Sequence, residues 1–554
     1  MAVHALGGAQ AADPARDASE QRRLQERLDA QQRQLELRPD VRLPAPAPTM
    51  AGLLPTDETP CFVIDHIEIQ GADAGYFGWL LDSLAHSDGT DAPLGRCLGA
   101  QAVAVLLQRV QDALIARGFV TTRVLAEPQN LASGRLGLTV LAGRLGSIRL
   151  QDPNDPRARL ANALPMRAGD ILNLRDIEQA LENFKRVPTA EADIEIVPGA
   201  LPGQSDLVVR WRQSLPFRLS LGADDSGSRS SGKYQGSATL SYDNPLTLND
   251  LLYISFNRDL GGGQAGERGT RGGAAHYSVP LGHWLLSVNT SRSRYFQTVA
   301  DASQDYVYRG TRSSQELSVA RLVQRNATSK TTLQLKAFAR QSNNFIDDTE
   351  IEVQRRRVGG WQLGVEHRAF LNRATLDLGL NLKRGTGAFG SLTAPEEAFG
   401  EGTSRFALVT ANVGLSAPFQ IGQQNWRYSG QWRGQANRTA LTPQDRFAIG
   451  GRYTVRGFDG ESSLSAERGW LLRHEIATAL GAGGPELFIG LDHGRVGGPS
   501  SALLVGRQLT GAVVGLRGQF SRLQYEIFAG RPVKKPQSFA TANATYGFQL
   551  NASF

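Results

Sequence analysis

GGRYTVRGFDGESSLSAERGWLLRHEIATALGAGGPELFIGLDHGRVGG, residues 450–498, ends in a strand in which Leu487, Ile489 and Leu491 alternate with Phe488, Gly490 and Asp492. Side chains of a strand point to opposite faces with period two. A sheet with an apolar outer face therefore turns Asp492 inward, where a carboxylate needs a partner. Val455-Arg456-Gly457-Phe458 offers one, because an arginine before a glycine in a loop-like segment can bring its guanidinium fork against a carboxylate. The same residues would also suit an arginine in a solvated loop and an aspartate at an ordinary strand end. The rest of the chain decides for a lock between Arg456 and Asp492.

The chain has 554 residues, more than one ordinary core holds, so several domains are expected. Glycine takes 61 of those positions, against about 7% in average proteins, which suits kinked and closely packed strands. The sequence contains no apolar run long enough for a transmembrane helix. Barrel strands are short and alternate in polarity, so a mean hydropathy of −0.29 is compatible with a membrane barrel. The formal charge of +7 comes from basic residues scattered among acids, without a basic block, and nucleic acid is not an expected partner. Residues 1–14 lack a charged segment followed by an apolar one, which suggests a mature or trimmed form supplied with an initiator Met. Cys61 and Cys97 have no CxxC spacing and no nearby histidine pair, which argues against zinc. In an oxidising compartment they would form one disulfide; in a reducing one they would stay free thiols.

Residues 15–38 read as a helix of strong helix formers with only Leu24, Leu28 and Leu35 as a thin apolar stripe. Such a helix either pairs as a coiled coil or sits in a wet cavity. Residues 39–60 form a proline-rich linker that would span about 60 Å if extended. Two α+β units follow at 61–144 and 145–213, each expected to run strand, helix, helix, strand, strand, with helices at 75–85, 99–117, 155–164 and 174–187. From residue 214 onward helical periodicity vanishes and about sixteen alternating segments succeed one another to residue 554. Short turns alternate with long polar stretches at 258–273, 295–313, 341–356, 384–402 and 437–467. That alternation fits a transmembrane antiparallel β-barrel with short periplasmic turns and long outer loops. The last segment places Tyr546, Phe548, Leu550, Ala552 and Phe554 on one face.

The segment VRGF in a long loop, followed by two strands of which the second carries Gly490-Leu491-Asp492-His493-Gly494, resembles the TpsB transporters of two-partner secretion, of the FhaC, ShlB and CdiB type and related to BamA. In that family an Arg-Gly-aromatic motif on a loop folded into the barrel pairs with an aspartate of a strand reading Phe or Gly, then x-Asp-x-Gly. The resemblance implies that Val455, Arg456, Gly457, Phe458, Gly490, Asp492 and Gly494 form this lock, with loop 437–467 in the lumen. It further implies two periplasmic POTRA domains, a first helix that plugs the barrel, a Cys61–Cys97 disulfide and a terminal Phe554 that serves as an insertion signal. The implied activity is ATP-independent export of an unfolded, large TpsA-type exoprotein, an adhesin, haemolysin or contact-dependent inhibition toxin, across a Gram-negative outer membrane. Partners would be that exoprotein, the outer-membrane lipids and the barrel assembly machinery, with no cofactor and no metal.

Other motifs are weaker. Gly385, Gly387 and Gly390 match GxGxxG, but the residues after them do not open a helix as a dinucleotide site requires. His474-Glu475 lacks the second histidine of HExxH, since Thr478 holds that position, and no phosphate-cradling GxxxxGK[ST] occurs. An enzyme is therefore not expected. The competing classes are a BamA-like insertion factor, a passive porin or receptor, and a barrel hydrolase.

Overall fold

The computed structural model describes residues 14–36, 39–44, 52–85, 91–299, 304–481 and 483–554. Helix α1 (Pro14–Leu35) leads the chain. Residues 37, 38 and 45–51, which belong to the expected helix end and linker, lie outside the described residues.

In the first small unit, strand Arg135–Leu141 lies between His66–Gln70, to which it is parallel, and Arg123–Leu125, to which it is antiparallel. Helix α2 (Ala100–Ala116) covers this sheet because Ala102, Leu106, Val110 and Leu114 recur at every fourth residue and are all fully buried. Burial of each large aliphatic chain contributes about 1.5–3 kcal/mol. The N-cap Gly99 offers no side chain to the free amides of α2. A remote carboxylate does so instead: Glu58 accepts from the backbone N–H groups of Gly99, Gln101 and Ala102 at 2.9, 2.7 and 3.0 Å. Cys61 and Cys97 form a disulfide beside the two-stranded ribbon Phe62–Ile64/Arg96–Leu98.

The second unit stacks helix α3 (Leu174–Lys185) on a sheet ordered Arg144–Leu150, Gln204–Gln213, Ala190–Pro198. Two of the expected helices are corrected. Residues 75–85 hold only a 3-10 turn, Gly78–Ser83. Residues 155–164 form turns, since Pro156 and Pro165 leave too short a run to nucleate a helix. Their polar groups go to the barrel: Asn162 Nδ2 donates to the carbonyls of Leu248 and Pro280, the Asn162 carbonyl accepts from the Gly282 N–H at 2.8 Å, and Asn249 donates to the Arg159 carbonyl at 2.9 Å. The small unit is thus stitched to turns at one end of the barrel.

Sixteen long antiparallel strands, from Phe217–Asp224 to Thr545–Ser553, close into that barrel, with the two-residue strand Thr349–Glu350 as an extra. Closure runs over five residue pairs, Gln549 with Asp224 to Ser553 with Ser220. Phe554 extends it, its N–H donating to the Leu219 carbonyl at 2.9 Å and its carbonyl accepting from Leu219 at 3.1 Å. Period-two alternation sorts the faces: Ile489 and Leu491 are exposed on the outside, whereas Phe488 and Asp492 are buried within. Three expected outer loops are corrected. Stretches 258–273, 295–313 and 341–356 are mostly strand, in hairpins whose arms reach 20 residues in Tyr306–Arg325. Backbone pairing continues there after the side chains have become polar.

Burial raises the Glu58 carboxyl, but its three amide donors outweigh that and hold it below the ordinary carboxylate range. Asp91 behaves alike: burial is outweighed by the Leu54 amide and the Arg109 and Arg96 guanidinium groups. A depressed folded pKa stabilises the fold above the unfolded carboxyl's pKa, and the effect is lost as pH falls through the folded one. Glu58→Gln is therefore expected to lower hydrogen-exchange protection of residues 100–116 at neutral pH, with the difference closing in acid. Cys97→Ser opens a loop closed over a sequence separation of 36 and is expected to cost the first unit about 3–4 kcal/mol, read in the same experiment.

Candidate functional site

Between strands Gln424–Asn437 and Arg468–Ala479 the chain leaves the barrel wall and folds into the lumen. A small hairpin, Phe447–Ile449 with Leu464–Ala466, gives this loop its own stem. Ile449, Val455, Phe458 and Leu464 pack with Leu471, Val496 and Leu509 of the wall, so an apolar face of the loop is buried against the inner side of three strands. At its tip Arg456 meets Asp492. Nε donates to Oδ2 at 2.8 Å, Nη2 to Oδ1 at 2.9 Å, and the Arg456 backbone N–H to Oδ2 at 2.9 Å. Asp492 is fully buried, and its carboxylate is satisfied by this bidentate fork and the amide together.

The network is larger than the pair. Arg456 Nη1 donates to Glu475 Oε2 at 2.6 Å, Glu475 also receives Arg517 at 2.8 Å, and Arg517 pairs with Glu486 at 2.5 Å. Arg473, directly across the ladder from Asp492, approaches it at 3.6 Å. Sequence reasoning missed Glu475, Arg473 and Arg517. The signal was available in Trp470, Leu472 and Ile476, whose outward alternation turns Arg473 and Glu475 inward. His474 faces the other way and bonds Tyr428 at 2.6 Å, so the His474-Glu475 dipeptide is split between the two faces.

The glycines of the motif make room for the fork. A Cβ on Gly490 would stand 2.5 Å from Arg456 Nη2, and one on Gly494 would stand 2.9 Å from the side chains of Ile449 and Val455. Gly457 has φ of +90°, a conformation that side chains strain, and its Cβ would meet the Arg531 carbonyl at 2.5 Å.

Helix α1 occupies the remaining lumen. Twenty-two residues make a rod of about 33 Å, comparable to the height of the barrel. Its contacts are polar and dispersed. Arg22 donates to the Pro443 carbonyl of the loop at 2.7 Å, and Arg23 to the Gly460 carbonyl. On the wall, Gln31 donates to Thr239 at 2.9 Å, Ser231 to Glu20 at 2.9 Å, Arg312 to the Gln21 carbonyl at 3.1 Å and Tyr253 to Glu36 at 3.2 Å, while Arg27 reaches Gln235 and Tyr295 reaches Asp17. Leu24 and Leu35 are buried, Leu35 against Leu251 and Tyr253, and Leu28 is half-buried.

Where the chain leaves the lumen, residues 39–44 run along α3. Glu182 accepts from the Val41 N–H at 3.1 Å and Glu178 from Leu43 at 2.8 Å. Arg325, at the end of a barrel strand, bridges both glutamates at 3.0 Å and donates to the Val41 carbonyl at 2.5 Å. Lys330 adds Asp40 at 3.0 Å and Glu182 at 3.1 Å. This joint among linker, second unit and barrel was also not foreseen, because it joins residues more than a hundred positions apart.

A closed membrane barrel filled by a polar helix and an infolded loop, with two small α+β domains before it, defines an outer-membrane polypeptide transporter. The chain belongs to the haemolysin secretion/activation protein ShlB/FhaC/HecB family, whose model matches residues 203–518, while a ShlB-type POTRA domain matches 62–143 and a further POTRA domain 144–198. It is 37% identical to the outer membrane transporter CdiB-2 of Burkholderia pseudomallei over 98% of this chain and 95% of that one. It is 23% identical to the hemolysin transporter protein HpmB of Proteus mirabilis over 78% of this chain and 74% of that one. The solved structure of CdiB from Acinetobacter baumannii superposes with a TM-score of 0.86 at 28% identity, covering 98% of this chain and all of that one. The protein is thus a transporter of two-partner secretion in the outer membrane, with its POTRA domains in the periplasm.

Arg456→Ala leaves Asp492 buried with only the distant Arg473, and is expected to loosen the loop by about 3–5 kcal/mol. Limited proteolysis within 438–467 on the inserted barrel measures this. Because Arg456 serves two carboxylates, Asp492→Ala and Glu475→Ala should each cost less than Arg456→Ala.

Proposed function

We propose that the protein exports one large, unfolded TpsA-type exoprotein through its barrel without ATP, and that this cargo is of the contact-dependent inhibition class. The preference for that class rests on the higher identity to the transporter named CdiB-2 than to the hemolysin transporter. In this reading residues 61–144 and 145–213 are the two periplasmic domains and 214–554 the barrel. The domains take up an extended cargo segment by strand addition or in an apolar groove, so that backbone hydrogen bonds supply affinity with little sequence demand. Folding of the emerged cargo outside makes passage directional. Outer-membrane lipids surround the barrel, which the barrel assembly machinery inserts with Phe554 as part of its signal.

Helix α1 is the resting plug and the Arg456–Asp492 pair the lock that keeps loop 437–467 in register while the plug moves. The observation that carries this reading is the character of the α1 contacts: they are separate hydrogen bonds, most with one charged partner, spread along the helix, so that both sides can return to water one contact at a time. A Gln31→Cys/Thr239→Cys pair tests it, bridged by a short reducible bis-methanethiosulfonate because the 2.9 Å contact is made by the tip of a glutamine, which reaches further than a cysteine. Bridging is expected to abolish export from intact cells and reductant to restore it. Full cross-linking with undiminished export would exclude movement of α1. Deletion of residues 15–38 is expected to raise single-channel conductance in planar bilayers, whereas an unchanged conductance would favour a passive pore over a plugged one.

A further inference from the structure

On the outer wall, Arg258, Arg271 and Arg294 stand in one row across three neighbouring strands, since Arg258 pairs in register with Arg271 and Arg271 with Arg294. Arg292 lies two residues along from Arg294, opposite Gly273. All four are exposed, and they share the outward parity of Phe256 and Leu260, which are 63% and 62% exposed. Like charges placed directly opposite on adjacent strands repel. No acidic side chain lines the groove they enclose, which has a volume of about 780 Å³, and among the described residues none of the four is paired with a carboxylate. Elsewhere on the outer wall a comparable arginine is neutralised: Arg309 pairs with Asp348 at 3.0 Å.

Height on the barrel indicates what could neutralise the row. Trp284, exposed on the same face, begins its strand beside the turn that docks on the second POTRA domain. Arg292 and Arg294 lie eight and ten residues further along that strand, a rise of about 20–25 Å at about 3.3 Å per residue and a tilt near 40°. An apolar band is about 25 Å tall, so the arginines reach the headgroup level of the outer leaflet. Below them Phe256, Leu221 and the glycines Gly236, Gly272 and Gly273 form an apolar, shallow floor. A cationic rim over an apolar floor fits an amphiphile with a phosphorylated head and acyl chains, and guanidinium forks bind phosphate bidentately.

We propose that this groove is a binding site for a phosphorylated glycolipid of the outer leaflet, whose phosphates are held by Arg258, Arg271, Arg292 and Arg294. The test uses the full-length protein in a neutral detergent, titrated with bis-phosphorylated lipid A, its dephosphorylated form, phosphatidylglycerol and inorganic phosphate, with native mass spectrometry as readout. Bis-phosphorylated lipid A is expected to bind, and Arg271→Glu/Arg294→Glu to weaken it at least about tenfold, which corresponds to about 1.4 kcal/mol. Arg384→Glu, on another part of the outer wall, should bind as the parent does. Arg271→Gln/Arg294→Gln provides the same comparison if the double glutamate variant does not give a heat-modifiable, folded barrel. Equal binding by parent and arginine variants, equal binding of phosphatidylglycerol, or binding of inorganic phosphate alone would each overturn the proposal.

Discussion

A carboxylate buried in the wall of a membrane barrel has to be neutralised from within, and Asp492 is neutralised by a residue that lies 36 positions away on an infolded loop. Much of the architecture follows from that requirement. The loop must enter the lumen, its tip must lie flat against the strand, and the glycines at 490 and 494 must leave space for the fork and for Val455. Glu475 and Arg517 then extend the pair into a chain of alternating charge, so that no member faces the lumen alone. With the loop fixed, the lumen narrows to a channel that one polar helix fills.

The parts legible in the sequence are those in which a period or a charge stands against its surroundings. Leu487, Ile489 and Leu491 fix the parity of a strand, and parity alone turns Asp492 inward. The polar helix before a proline-rich linker is legible for the same reason, since a helix without a wide apolar face needs a wet site. Legibility fails where the neighbour that satisfies a group is remote. Residues 155–164 look helical, yet the carbonyls of Arg157, Arg159 and Asn162 and the Asn162 side chain are taken up by the turns of the barrel around Asn244, Leu248 and Pro280. Glu58 caps α2 from a separation of 41 residues, and no local pattern announces it. The outer hairpins look like loops in the sequence because hydrophobic alternation stops where lipid stops, whereas backbone pairing does not depend on lipid at all.

Two kinds of polar contact divide the lumen, and they differ in what replaces them. The Arg456 fork cannot be exchanged for water without leaving Asp492 buried, so each geometry short of full release is uphill. The contacts of α1 are of the other kind. Gln31 with Thr239, Ser231 with Glu20 and Arg312 with the Gln21 carbonyl are separate bonds along a helix, and the net worth over hydration is about 0.5–1.5 kcal/mol for the first, which is neutral, and about 1.5–3 kcal/mol for each of the other two, which have a charged partner. Among the described residues of α1, buried apolar side chains are limited to Ala18, Leu24 and Leu35.

That contrast bears on how a barrel can open without coming apart. A plug held by apolar packing would release only by exposing a greasy lumen, which the outgoing chain would then coat. A plug held by hydrogen bonds leaves behind a hydrated wall whose donors and acceptors can turn to water or to a passing backbone. The joint of Arg325 and Lys330 with Glu178, Glu182 and residues 40–43 ties the helix's tether to the POTRA domain that sits beneath the pore. Movement of that domain would pull on the tether through ion pairs, whereas the loop tip, fixed to the far wall through Asp492, would stay. In the proposed export cycle, the order in which the two lumenal elements yield is set by the chemistry of their contacts.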